Sequence, residues 1–318
     1  MMFNATHALN TALGGVLRSG DVVVLSDYDH NAVLRPVHML ERTRGVEVRR
    51  LEGDSSGALD LEAARKALDG ARLLVVNHVS NVLGTVLPLR ELAHLAHEAG
   101  ALVLVDAAQS AGHIPVELAA DGADLVAITG HKGLLGPQGT GGLWVREGVD
   151  VHPLLCGGTG GNSALRDMPV SMPDHLEAGT PNAPGIAGLL AGVEHVVSEG
   201  VEVIHAREAL LKKRLLGGLS EIRGVRILSP PAPEGAAVVT LVATWTDPAT
   251  LANELDRQYG VQTRPGLHCA PEVHRILGTS ETGALRLSLG WASTEEDVDR
   301  AVEAVLALAG APSIPVGA

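Results

Sequence analysis

Short runs of Val, Leu and Ile recur along the first half of the chain, at Val22 to Leu25, Val46 to Leu51, Leu73 to Val76, Leu102 to Val105, Leu125 to Ile128 and Gly142 to Val145. Between them, Leu61 to Leu68 and Leu89 to Ala99 carry apolar residues at intervals of three and four, with Glu, Arg and Lys elsewhere. Runs too short for helices that alternate with amphipathic helical segments predict buried strands of a mainly parallel sheet covered on both faces. Ala8 to Leu13 reads as a first helix with almost no lead-in. From Gly185 to about Leu219 the pattern is helical. Val225 to Leu228, Ala237 to Val242 and Leu285 to Leu289 then predict strands of a smaller α+β unit.

Polar and titratable residues gather just after the strands, at Asp27 to Asn31, Asn77 to Asn81, Asp106 to Gln109 and Thr129 to Lys132. In an open α/β sheet the carboxyl ends of the strands border the ligand crevice. Residues 153 to 185, dense in Gly and Pro, read as a long functional or interfacial loop. We therefore expect a large domain over 1–199, a small one over 200–310 and an aperiodic tail over 311–318.

Composition narrows the class. With 318 residues, 46% of them apolar, the chain can bury a large core, and with three Trp, two Tyr and one Phe that core must be aliphatic. A formal charge of −13 without a run of Lys or Arg argues against nucleic-acid or acidic-membrane surfaces, so no nucleic acid and no membrane are expected as partners. Cys156 and Cys269 form no metal-type spacing, so no metal site is expected. They form no disulfide framework either, and with no signal-like or spanning segment a cytoplasmic setting is the reading.

Lys132 follows an apolar strand in Thr129-Gly130-His131-Lys132-Gly133. A lysine desolvated in a crevice loses basicity and can form Schiff bases, although most strand-end lysines are simply solvated. Asp106, ending Leu102-Val103-Leu104-Val105, would point a carboxylate to the same edge, but an Asp there is as often a cap. Asn4-Ala5-Thr6-His7 ahead of a helix suits either a phosphate or an ordinary N-cap. Gly157-Gly158-Thr159-Gly160-Gly161 fits no nucleotide fingerprint and reads as a loop. Cys269, in Arg264-Pro265-Gly266-Leu267-His268-Cys269-Ala270-Pro271, sits on a proline-stiffened loop where Arg264 and His268 would lower the thiol pKa, the bland alternative being a small buried hydrophobe. Arg286, a cation in the apolar run Leu285 to Leu289, needs an anionic partner or solvent; a substrate carboxylate would serve.

These blocks together, with His78-Val79-Ser80-Asn81-Val82-Leu83-Gly84 and Gly179-Thr180-Pro181-Asn182, resemble the class V aminotransferases, in particular their cysteine desulfurase and selenocysteine lyase branch, from about Phe3 to Leu308. The resemblance implies the pyridoxal-phosphate transferase fold of type I, with a seven-stranded-type sheet and a small C-terminal α+β domain. It implies that Lys132 bonds to pyridoxal 5'-phosphate, Asp106 pairs with the ring nitrogen, His30 stacks on the ring, and Asn81 and Gln109 lie on its hydroxyl side. Ala5, Thr6, Thr129 and His131 would form the phosphate site, with Thr180 reaching a partner's phosphate across a homodimer. Arg264, Arg286 and Asn81 would take the substrate, and Cys269 would be the nucleophile, with Lys132 and His30 as the other catalytic residues.

The activity so implied converts L-cysteine, or selenocysteine, to L-alanine. It leaves a persulfide on Cys269 for a sulfur-acceptor protein, as in iron-sulfur cluster assembly. Two departures stand out: Ala5 and His7 replace commoner Thr and Glu, and a family segment ahead of Phe3 is absent, so the chain reads as truncated. A transaminase or lyase on another amino acid, and an inactive dimeric paralogue, are the alternatives.

Overall fold

The computed structural model describes residues 1–161, 163–231 and 235–310, so the aperiodic tail expected over 311–318 lies outside the described residues. The chain divides into two compact units. The first comprises Met1–Glu52, Leu59–His78 and Pro88–Val201; the second comprises Gly53–Ala58, Val79–Leu87 and the chain from Glu202 onward.

In the first unit the elements run α1 (Ala5–Val16), β1 (Val22–Ser26), α2 (Asn31–Arg44), β2 (Glu47–Leu51), α3 (Leu61–Ala67), β3 (Leu73–Asn77), α4 (Leu89–Glu98), β4 (Leu102–Asp106), β5 (Leu125–Thr129), β6 (Gly141–Val145) and α5 (Ala183–Glu199). The sheet order is β2-β1-β3-β4-β5-β6, all neighbours parallel except β5 and β6. Among the described residues six strands stand where the resemblance implies seven. On the outer edge of β6 a single antiparallel bridge joins Met2 to Gly141.

All five residues of β3 are buried, as expected of a central strand covered on both faces. The apolar stripe Leu89, Leu92, Ala93, Ala96 turns α4 inward. Helix α1 packs on α2 and on β4, β5 and β6, burying Ala8, Leu9, Ala12 and Leu13 completely. At about 1.5–3 kcal/mol per buried large aliphatic side chain, these aliphatic contacts carry the core that aromatics usually supply.

The second unit contains α6 (Val201–Ser220), β7 (Val225–Ile227), β8 (Val238–Ala243), α7 (Pro248–Tyr259), β9 (Arg264–Gly266), α8 (Pro271–Ile276), β10 (Ala284–Ser288) and α9 (Glu295–Gly310). Its antiparallel sheet runs β7-β8-β10-β9. Leu215, Val239, Leu241, Leu255, Leu285 and Val305 form its core. The excursion Val79–Leu87 is tied to this unit through Thr240 Oγ1, which donates to the Val82 carbonyl, and Ala236 N, which donates to the Gly84 carbonyl at 2.7 Å. Among the described residues no helix is long and apolar enough to cross a membrane.

Candidate active site

Four parallel strands, β1, β3, β4 and β5, end at one edge of the large sheet, and the strand order reverses between β1 and β3. Such a switch point leaves a crevice at the carboxyl ends of the strands. Asp106 pairs in register with Asn77 on one side and Ala127 on the other, so the predicted polar clusters share this edge. Asn77 Nδ2 donates to the Tyr28 carbonyl at 2.6 Å and so fastens the end of β3 to the loop after β1.

Asp106 is buried, and one carboxylate oxygen accepts the Ala108 N–H at 3.0 Å. Burial pushes its pKa up, against the pull of that hydrogen bond and of the Lys132 charge. Lys132 is half-buried in the turn after β5. The two turns meet through glycine. A Cβ on Gly112 would lie 2.2 Å from the Gly133 carbonyl oxygen, and one on Gly133 would lie 2.4 Å from the Ala111 carbonyl oxygen. Only bare backbone lets the Asp106 and Lys132 turns approach this closely.

His30 is the N-cap of α2, its Nδ1 accepting from Ala32 N at 3.0 Å, which leaves a neutral ring protonated on Nε2. Gln109 is half-buried beyond Asp106. Thr129 is buried, with Oγ1 at 3.1 Å from His131 Nδ1. His131 is exposed, and partial burial followed by the Lys132 charge lowers its pKa. Asn4 caps α1 by accepting from His7 N at 2.9 Å, so the N-cap reading of that motif is realised; Ala5 is buried and Thr6 exposed in the first turn. Thr180 is exposed in the long loop, where it lines a cavity of about 60 Å³ with Phe3, His7, Leu155 and Asn182.

The block Asp27 to Asn31 holds two further buried acids, Asp27 and Asp29. Asp29 accepts from Ser26 N at 2.7 Å and Ser26 Oγ at 3.1 Å, and burial pushes its pKa up to about 7, helped by the Asp106 charge. His78 is also buried, which lowers its pKa to about 4, and its Nδ1 has no partner among the described residues.

Arg264 and Arg286, expected from the resemblance to take the substrate, lie in the second unit, and so does Asn81. Arg286 on β10 lies directly opposite Arg264, which belongs to β9 and not to the loop predicted. Arg264 Nη2 donates to Cys269 Sγ at 3.4 Å. Arg286 Nη1 donates to the Asn81 carbonyl at 2.9 Å, and Asn81 Nδ2 donates to the His268 carbonyl at 2.7 Å. Burial, reinforced by the Arg264 charge and opposed by Cys269, lowers Arg286 to about 10.

Arg286 Nε and Asn81 Oδ1 are buried without partners among the described residues. The expectation that His268 acts on the thiol needs correction. Its ring bonds to His274 and the Arg264 carbonyl, and burial lowers its pKa to about 4, so Arg264 is the cation at the sulfur.

The first unit fits pyridoxal phosphate by its chemistry. A carboxylate whose charge is disfavoured by burial calls for a cationic partner such as a protonated pyridine nitrogen, and Lys132 supplies a primary amine beside it. The family model for aminotransferase class-V matches residues 2–301, and the chain belongs to that family.

Its relatives narrow the resemblance. A protein of Methanothermobacter thermautotrophicus described as a probable cysteine desulfurase is 36% identical over 96% of this chain and 78% of its own length. A cysteine desulfurase of Haloferax volcanii is 34% identical over 91% of this chain and 68% of its own. Among solved structures, the apo cysteine desulfurase of Thermococcus onnurineus superposes with a TM-score of 0.88 at 34% identity, covering 97% of this chain and 78% of that one. The fold is that of these enzymes.

Proposed function

We propose that this chain is a pyridoxal-phosphate-dependent cysteine desulfurase that moves sulfur from L-cysteine onto Cys269 and leaves L-alanine. The observation that carries the reading is the Arg264 guanidinium on Cys269 Sγ in a half-exposed turn, within a chain whose relatives are described as cysteine desulfurases. The thiolate is the form that attacks sulfur, and Arg264 is the cation in contact with Sγ.

In this reading Lys132, Asp106, His30, Gln109 and Asn81 hold the cofactor ring, while Ala5, Thr6, Thr129 and His131 hold its phosphate. Thr180 of the partner subunit completes the phosphate site in a homodimer. Pyridoxal phosphate, when bound, supplies an electron sink for charge left at the substrate α-carbon.

Arg286 and Arg264 receive the substrate carboxylate. Lys132 Nζ removes the α-proton as general base. Cys269 Sγ then bonds to the substrate sulfur as the carbon–sulfur bond breaks. The bonding pair stays on the β-carbon, which takes up a proton, and Lys132 returns a proton to the α-carbon, giving alanine. The persulfide sulfur passes to an acceptor protein or, with a reductant, leaves as sulfide. Selenocysteine can enter by the same route.

Purified protein with added cofactor and L-cysteine should release alanine, and Cys269→Ser should lose at least about a hundredfold of that rate, since the residue is asked to make the new bond. No alanine from the unaltered chain would refute the activity. Equal alanine from Cys269→Ser would move the chemistry to a lyase that does not use the thiol.

A further inference from the structure

Beyond the residues assigned so far, the second unit holds a buried file of hydrogen-bonding side chains that ends at the Cys269 turn. Thr279 Oγ1 lies 2.8 Å from His274 Nδ1. His274 Nε2 lies 3.2 Å from His268 Nδ1, and His268 Nε2 lies 3.0 Å from the Arg264 carbonyl oxygen. All three side chains are buried, and the two rings stack with centroids 5.3 Å apart.

The far end fixes the direction of the whole file. A carbonyl oxygen only accepts, so His268 Nε2 carries a proton. A neutral His268 then accepts at Nδ1, so His274 donates from Nε2; a neutral His274 accepts at Nδ1, so the Thr279 hydroxyl donates. A proton added at His268 Nδ1 would face the His274 Nε2–H, so the file could take it only by reversing, with the Thr279 hydroxyl turned to the His274 carbonyl at 3.5 Å. Burial opposes such a proton on both rings, and at His268 so do the charges of Arg286 and Arg264 on the flanking strands.

The file ends where the backbone needs support. His268 and Cys269 occupy the left-handed region in succession, at φ 51° and 59°, without a glycine. L side chains adopt this only when their surroundings hold them. His268 is held at both ring nitrogens and at its carbonyl by Asn81.

We propose that Thr279 and His274 are positioning residues for Cys269. The relay from Thr279 through His274 and His268 to the Arg264 carbonyl maintains the turn that presents Sγ to the Arg264 guanidinium, and so sets the reactivity of the thiol. The inference rests on Cys269 being the sulfur-accepting nucleophile, but its test does not use turnover.

In the full chain carrying Cys156→Ser, so that a single thiol reports, the rate of alkylation by iodoacetamide is followed against pH. Thr279→Val removes the hydroxyl and keeps the shape; Thr279→Ser keeps the hydroxyl. The Val variant should slow alkylation at pH 7 by about three- to tenfold and change the pH profile, with Thr279→Ser matching the parent.

An unchanged profile in a folded Val variant would overturn the proposal, as would equal shifts in the Val and Ser variants. Should the Val variant not fold, nitrogen NMR of the unaltered protein decides. Both His268 and His274 must appear as neutral rings protonated on Nε2, and a ring protonated on Nδ1 in either would overturn the relay. A chain that behaves as inferred here but makes no alanine from cysteine would refute the proposed activity and leave the relay standing.

Discussion

Replacing Gly112 by alanine tests whether glycine alone permits the meeting of the Asp106 and Lys132 turns. Gly112 has φ +81°, and its added Cβ would sit 2.2 Å from the Gly133 carbonyl oxygen, 2.4 Å from its carbon and 3.0 Å from Leu134 N. Every obstacle is backbone, so no side-chain rotation relieves it. A left-handed alanine costs about 1–2 kcal/mol, and forced overpacking adds about 1–3 kcal/mol. Gly20 provides the internal control, with φ +79° and nothing within 4 Å of its added Cβ. Gly20→Ala should therefore lose only the conformational part. Urea unfolding followed by circular dichroism should show Gly112→Ala less stable than Gly20→Ala by about 1–3 kcal/mol. Cofactor uptake, read by visible absorbance, should weaken in the first variant and not in the second. Equal losses in the two variants would mean that the turns have room to part, and the close approach would then explain nothing.

Asp29 gives the protein an acid whose pKa is raised to about 7 from 3.8. Between these values the folded chain keeps a proton that the unfolded chain releases, so this group's contribution to stability is present at low pH and is lost as pH rises through the window. Asp29→Asn should therefore gain on the parent between pH 5 and pH 8, by at most about 3 kcal/mol. Denaturation curves that keep the two a constant distance apart would exclude the effect. On the opposite edge of the sheet, buried Asp124 accepts from Val103 N at 2.7 Å and His97 Nε2 at 3.0 Å and pairs with Arg146 at 2.6 Å. Asp124→Ala strands a buried N–H and should cost about 2–4 kcal/mol without changing the reactivity of Cys269. A loss below about 0.5 kcal/mol on thermal unfolding would show water replacing the carboxylate.

The predicted strands of the large sheet lie close to the observed ones, because a buried parallel strand leaves a continuous aliphatic run such as Leu73 to Val76. Arg264-Pro265-Gly266 leaves none. It becomes a strand by pairing with Ala284, Leu285 and Arg286, a partner distant in sequence that no local pattern announces. Strand-end placement made Asp106 and Lys132 readable as neighbours, but the contact of Gly112 with Gly133 is tertiary. His268 was misread because adjacency to Cys269 in sequence says nothing of where a ring points. Its ring partner His274, and Thr279 behind that ring, carry no motif. Asp29 and His78 stood inside recognised blocks, but their perturbation comes from burial, which residue type alone does not reveal.

The excursion Val79–Leu87 bears on modularity. Because Asn81 holds both Arg286 and the His268 carbonyl, the second unit is not a contiguous cassette that begins after α5. A fragment starting at Glu202 would lack the strip that braces its own reactive turn, and a graft of the C-terminal half from a relative would mate its cysteine turn to a foreign Asn81 strip. Recombination within this family should then tolerate a crossover at the α5–α6 junction only when Val79–Leu87 travels with the C-terminal half. The two stretches, remote in the gene, must drift together.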